Sequence, residues 1–196
     1  METAGSTTLI RRLEESGDSS SWREFFRRYA PLVWRFARAQ GLPEDAADDV
    51  VQETMTSMIG AIRRKRFDRG KGQFKAFLRG LAYHKIQDRR SQRAREPQHW
   101  AAGANSSDPL AAIPARDDPC DVFEREWQQN LLQTCLDLVR AEVEPTTYQA
   151  FDLYAIKGWS ADKAAGFLGV TRNAVYIAKA RVLARIRALY ADIEQS

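Results

Sequence analysis

Cysteine and histidine are scarce in this chain: Cys120, Cys135, His84 and His99 are the only four in 196 residues. Two cysteines cannot build a disulfide framework, and adding the two histidines does not make a four-ligand zinc site, so both thiols read as reduced and ordinary and neither metal nor cofactor is expected. Long apolar runs are missing as well. No stretch approaches the roughly 18 residues of a membrane span, and the start, METAGSTTLIRRLEESG, lacks a basic head followed by an apolar core and a cleavage site. Membrane insertion is therefore not expected, and the chain is read as cytoplasmic. No convincing strand pattern occurs, which excludes most mixed folds. No Ser, Cys or His stands in a recognisable nucleophile or acid/base arrangement, so catalytic residues are not expected and the chain reads as non-enzymatic.

What is present is charge, sorted along the chain. The net charge of +4 conceals the sorting. From Arg63 to Arg95, thirteen Lys or Arg stand against Asp68 and Asp88, while from Leu42 to Glu53 there are five acids and no base. From Asp117 to Glu144, eight acids stand against Arg125 and Arg140, and from Thr171 to Ala191 five bases stand against no acid. A single charge run is commonly a solvated helix face. Two basic blocks, each carrying hydrophobic periodicity, point instead to a polyanion such as nucleic acid. With 44% hydrophobic and 29% charged residues the chain can bury one moderate core or two small ones.

Helical spacing recurs throughout. Ser21 is placed to cap a helix in which Trp22, Phe25, Phe26, Tyr29, Val33, Phe36 and Ala37 recur and Gly41 ends the run, with Pro31 expected to kink or divide it. A second helix is expected from near Pro43 toward Ile62, with acids in its first turn where the helix dipole is positive. Its buried stripe is Ala47, Val51, Met55, Met58 and Ile62, which leaves Asp45, Asp48, Asp49, Gln52 and Thr56 opposite. After the loop RKRFDRGKGQ a third helix from about Phe74 turns Phe74, Phe77, Leu78 and Leu81 inward and Lys75, Arg79, Tyr83, Arg89, Arg90 and Arg93 outward. The first 20 residues are read as a tail, either a weak helix around Leu9 to Glu15 or mobile.

At Glu96 the composition changes. Residues 96–120 hold four of the seven prolines together with Gly, Ser, Asn and Asp, the mark of a linker. At roughly 3.3 Å per residue its span from Pro97 to Pro119 could extend to about 75 Å, enough to let two domains reach DNA sites about two turns apart. Helices resume at about Asp121. In GWSADKAAGFLGVTRNAVYIAKARVLARIRALY, Ser160 caps a short helix, Ala165 is small where a second helix must cross, and Gly169 marks the turn. The second helix, capped by Thr171, buries Val175, Ala178, Val182, Ile186 and Leu189, leaving Thr171, Arg172, Asn173, Tyr176 and Lys179 for a major groove. Arg172 and Asn173 can reach base edges, whereas Lys179, Arg181 and Arg185 suit phosphates. The expected fold is all-α, with two small helical domains (21–95 and 121–196) joined by a flexible linker (96–120), the second a helix-turn-helix.

These features together resemble a bacterial RNA polymerase sigma factor of the extracytoplasmic-function (ECF) type, over nearly everything from Trp22 to Tyr190. EDAADDVVQETM resembles the family's region-two helix, FKAFLRGLAYHKIQDRRSQRAR the adjoining helix, and the helix-turn-helix region four. The resemblance implies that Asp45, Asp48, Asp49, Gln52 and Glu53 dock on the polymerase clamp helices, with the flap as a further contact of the core enzyme. It implies minus-ten contacts from Arg63, Arg64, Lys65, Arg66, Phe67, Arg69, Lys71, Lys75, Arg79, Tyr83, Arg89, Arg90 and Arg93. Minus-thirty-five contacts would come from Thr171, Arg172, Asn173, Tyr176, Lys179, Arg181 and Arg185, and double-stranded and melted promoter DNA and an anti-sigma factor would be partners. The chain departs from the family at Phe77, often Trp, at His84, often Asn, and at Lys163, often Glu. Two other classes fit the sequence less well. An operator-binding regulator that does not bind core polymerase would leave the N-terminal basic block without a purpose, and a Mg²⁺-dependent nuclease using Asp45, Asp48, Asp49 and Glu53 lacks ligands from other elements.

Overall fold

The computed structural model describes residues 6–15, 19–64, 73–95 and 118–194, and every regular element among them is helical. The linker (96–117) and the greater part of the RKRFDRGKGQ loop (65–72), with Lys65, Arg66, Phe67, Arg69 and Lys71, lie outside the described residues. Two compact units divide the chain, one covering Thr7–Asn130 and one covering Leu131–Gln195.

The N-terminal unit contains α1 (Ser6–Glu15), α2 (Ser19–Ala39), α3 (Glu44–Arg63), α4 (Gln73–Arg95) and the first turns of α5 (Pro119–Glu142). The expected tail is a helix in its described part: Leu9, Ile10 and Leu13 fall on one side of α1 and are buried in the common core. Arg12 reaches from α1 to Glu24 at 3.2 Å and to the Ser21 hydroxyl at 3.0 Å. Ser21 is therefore not the cap expected of it. It lies inside α2, buried, with its oxygen accepting from Arg12. Nor does Pro31 divide α2, which continues to Ala39 with the proline on the exposed side, away from the core. Gly41, at φ +85°, ends α2 as expected: its N–H donates to Arg38 O at 2.9 Å and the N–H of Leu42 to Ala37 O at 3.2 Å, a Schellman closure that needs the left-handed residue.

The stripe expected of α3 is buried throughout, and Phe74, Leu78, Ala82 and Ile86 form the inner face of α4, with Phe77 and Leu81 at its edge. Aromatic rings dominate this core. Tyr29 lies 5.0 Å from Phe25 and 4.9 Å from Phe74, and Phe36 meets Phe123 edge-on at 5.1 Å. Each such ring, fully buried, contributes on the order of 1.5–3 kcal/mol by removal from water.

The last contact moves the domain boundary. The sequence suggests a C-terminal domain from 121, but Val122, Phe123 and Trp127 are buried in the N-terminal core, and Asn130 donates to Arg28 O at 2.9 Å. The unit boundary falls inside α5, between Asn130 and Leu131.

The C-terminal unit contains the rest of α5, α6 (Pro145–Phe151), a π-helical turn (Asp152–Ile156), α7 (Ala161–Leu168) and α8 (Arg172–Glu194). Two clusters lie along α8. Val175 and Ala178 pack with Ala161, Ala164 and Ala165 of α7, whereas Val182, Ile186, Leu189 and Ile193 pack with Leu131, Cys135 and Val139 of α5. The expected turn chemistry is present: Ser160 Oγ accepts from Lys163 N at 3.2 Å, Thr171 Oγ1 from Ala174 N at 3.1 Å, and Gly169 sits at φ +67° between the two helices.

Candidate polymerase-docking and promoter-DNA surfaces

On α3, acids four residues apart share one face, and the same spacing recurs for bases on α4. The two helices run so that the sets meet in reverse order. Asp45 pairs with Arg93 at 3.9 Å, Asp49 with Arg89 at 3.0 Å, and Glu53 with Lys85 at 3.3 Å and with Arg89 as well. Burial would raise the Glu53 carboxyl, but hydrogen bonds from Arg89 and Lys85 outweigh it and hold the group below the ordinary carboxylate value. Asp48 and Gln52, one position round the helix, are exposed, and Asp45 keeps 81% of its side-chain surface. The acidic block is thus two sets: a paired inner row and an outward row of Asp48 and Gln52, with Asp45 on both.

The bases assigned to the minus-ten element are similarly committed. Lys75 meets Glu124 of α5 at 2.5 Å and lies 5.4 Å from the centre of the Trp127 ring. Desolvation of Glu124 is outweighed by hydrogen bonds from Lys75 and Gln128, and Arg79 adds to the same field, so its carboxyl too sits below the ordinary value. Arg90 donates to Gln40 O of the α2 closure, Arg63 stacks over Trp22 at 5.7 Å, and Arg64 turns back to Gly60 O at 3.1 Å. Tyr83 is exposed on α4, the one aromatic of that helix turned outward among the described residues.

Charge also explains why the start of α5 joins the N-terminal unit. Glu126 accepts from Arg35 Nε at 2.8 Å, and the Arg35 guanidinium also reaches Asn130 Oδ1 at 3.1 Å. The signal for this was in the sequence, as the apolar set Val122, Phe123 and Trp127 between acids that match the α2 and α4 bases.

On α8, Thr171, Arg172, Asn173, Tyr176 and Arg181 are exposed and Lys179 is half-buried. Arg172 Nε donates to Tyr176 Oη at 3.1 Å, and Asp162 of α7 lies 3.8 Å from its guanidinium. Arg185, assigned to phosphates, instead donates to both oxygens of Glu142 on α5, at 2.6 and 3.0 Å, and those hydrogen bonds hold the Glu142 carboxyl below its ordinary value. Sequence reasoning missed Tyr154, whose ring lies 5.1 Å from Lys179 Nζ and 5.6 Å from the ring of Tyr176.

The Sigma-70 region 2 family matches residues 25–96, from α2 through the end of α4. The ECF RNA polymerase sigma factor SigD of Mycobacterium tuberculosis is 31% identical over 180 residues, covering 88% of this chain and 78% of SigD. The chain belongs to the ECF family of RNA polymerase sigma factors. ShbA of Streptomyces griseus, also an ECF sigma factor, is 28% identical over 201 residues and 96% of each chain. A solved structure described as CnrH in complex with the cytosolic domain of CnrY aligns over 93% of this chain and 95% of that one, at 23% identity and a TM-score of 0.37. As a sigma factor the protein binds core RNA polymerase and directs promoter recognition and transcription initiation, and its partners are the core enzyme and promoter DNA. The operator-binding alternative is not favoured. No helix among the described residues is long and apolar enough to cross a membrane.

Proposed function

We propose that the sigma factor divides its two tasks between its two units. The outward row of α3, Asp48 and Gln52 with Asp45, docks on core polymerase, and the N-terminal unit presents α4 and the Arg63 to Gln73 loop to the melted minus-ten element. The start of α8 reads the minus-thirty-five element from the major groove, with Arg172 and Asn173 on base edges and Lys179 and Arg181 on phosphates. The single observation that carries this reading is the contrast in exposure: acids stand outward on α3, and Arg172 and Asn173 stand outward beyond the Gly169 turn, where each could meet an external partner of opposite charge or polar base edges. Tyr83 and the loop residue Phe67 are the aromatics offered to unstacked bases. The protein works in the cytoplasm without a cofactor and performs no catalysis of its own, the chemistry of RNA synthesis belonging to the core enzyme. An anti-sigma factor is the regulator that family membership implies.

Transcription of a genomic fragment library by core polymerase, with and without the protein, tests this reading. RNA starts that depend on the protein and share two upstream elements are expected. In the same assay Asp48→Lys with Gln52→Lys should weaken core binding while leaving the binding of upstream duplex DNA by the free protein unchanged. Wild-type core affinity in that double variant would remove α3 from the docking surface.

A further inference from the structure

The exposed face of α8 leans on a residue from another element. Tyr154 belongs to the π-helical turn Asp152–Ile156, in which Lys157 N donates to Asp152 O at 2.8 Å, five residues back. Such a turn inserts one residue into the helical repeat and so re-aims the side chains on it, which is why single π-turns are found beside functional surfaces. Here it sets the half-buried Tyr154 ring edge-on to Tyr176, with centroids 5.6 Å apart and planes at 77°, and beneath Lys179, whose Nζ lies 5.1 Å from the ring centre. Tyr176 in turn accepts from Arg172 Nε at 3.1 Å. Arg172, Tyr176, Tyr154 and Lys179 therefore form one connected chain of side chains, and Tyr154 alone among them is outside α8.

We infer that Tyr154 is a positioning residue for upstream-element recognition: its ring holds Tyr176 and Lys179 in the arrangement that meets DNA. The inference rests on the reading of α8 as the DNA-contacting helix. Packing against the small cluster of Leu153, Ala161 and Val175 accounts for the buried part of Tyr154. It does not account for the ring's contacts with two side chains of the outer face. Long cationic side chains lose rotamer freedom when they are fixed on a ligand, and a partner that restricts them beforehand lowers that cost. The kind of partner matters. Arg185 is fixed by the Glu142 carboxylate, which cancels its charge. An aromatic face attracts the Lys179 ammonium through its quadrupole and carries no net charge, so the lysine is held by a partner that does not offset its charge toward a phosphate.

The test uses the full-length protein assembled with core polymerase, on duplexes that the wild-type holoenzyme selects from a random-sequence pool. Tyr154→Leu keeps an apolar side chain in the cluster and removes the ring, and a loss of roughly three- to tenfold in affinity is expected from one aromatic pair and one cation–π contact. Tyr154→Phe keeps the ring and should bind as the wild type does. Combining Tyr154→Leu with Lys179→Ala should give less than the sum of the two single losses, because the contact can be removed only once. Wild-type affinity in Tyr154→Leu, an equal loss in Tyr154→Phe, or strict additivity with Lys179→Ala would each overturn the assignment. Arg172→Ala separates this from the underlying reading. If Arg172→Ala relaxes sequence preference while Tyr154→Leu has no effect, only the positioning role fails. If Arg172→Ala leaves preference unchanged, α8 is not the reading helix and the role of Tyr154 falls with it.

Discussion

Helices α4 and α8 are both rich in arginine and lysine, and α4 and the start of α8 use those residues in opposite ways. On α4, Lys75, Lys85, Arg89 and Arg93 each meet a carboxylate of α3 or α5, and Arg90 meets a backbone carbonyl. At the start of α8, Arg172 is 61% exposed beside an Asp162 that is 74% exposed, and Lys179 rests on an aromatic ring. The first arrangement joins helices of one unit; the second leaves positive charge available to something outside. A count of bases along the sequence is the same in kind for both. What separates them is burial: Lys85 and Arg89 keep 26% and 27% of their side-chain surface between the helices, whereas Arg172 keeps 61% even with Asp162 beside it.

The comparison breaks most severely if the start of α5 is not part of the N-terminal unit. Phe123 is fully buried against Phe36, and Phe123→Ala should destabilise the N-terminal unit by about 3–5 kcal/mol, the usual cost of truncating a buried aromatic. Hydrogen exchange resolves the location. Faster exchange is expected in α2, α3 and α4 with α6 to α8 unchanged, and the reverse pattern would return Phe123 to the C-terminal unit.

Next in size is the outward side of the comparison. Replacing Arg172 removes a group able to make a bidentate contact with a base, worth about 1–3 kcal/mol of discrimination at one position of the upstream element. Because the side chain is exposed, the melting temperature of Arg172→Ala should equal that of the wild type. Selection from random duplexes should show one relaxed position, and a uniform loss across sequences would make Arg172 a phosphate contact.

Arg89→Ala supplies the converse. Here stability should fall by about 1 kcal/mol, in the upper range for partly exposed ion pairs that form a network, and the loss should shrink as salt is added. Acid should have a related effect. The folded Glu53 and Glu124 carboxyls both lie below their ordinary value, so the stability they give is complete above the unfolded carboxylate value of about 4.3 and is lost as pH falls through the folded values. The gap between the stability curves of the wild type and Glu53→Gln should therefore narrow as pH falls below the unfolded carboxylate value of about 4.3. A gap that stays constant down to pH 3 would mean that the inner row of acids contributes packing rather than charge.

Much of this was legible before the structure. Periodicity located α3, the inner face of α4 and both helices around Gly169, because apolar spacing and cap residues act locally. The exposed residues at the start of α8 were readable for the same reason. Ion pairing was not, since Asp49 and Arg89 lie 40 positions apart and nothing local tells a base that its acid is on the neighbouring helix. Ser21 misled for a similar reason: a serine at a helix start suits a cap, but the Arg12 that claims it comes from α1, a segment whose packing depends on a core assembled from four other helices. The π-turn carrying Tyr154 has no sequence signature at all.

The smallest effect makes the finest distinction, because it is drawn within α8 itself. Lys179 and Arg185 both read from the sequence as phosphate contacts. The structure holds Lys179 on a neutral ring and Arg185 on the Glu142 carboxylate. Each phosphate contact released by mutation lowers the slope of log affinity against log salt by about 0.9. Lys179→Ala should therefore lower the slope by about one and leave sequence preference alone, whereas Arg185→Ala should leave the slope unchanged. Arg185→Ala should instead cost a few tenths of a kcal/mol to about 1 kcal/mol of stability, most of it abolished when Glu142 is also replaced by Gln. Equal slope changes in the two variants would show that Arg185 exchanges Glu142 for a phosphate on binding, and the line between structural and DNA-facing cations would then run one turn further along the helix.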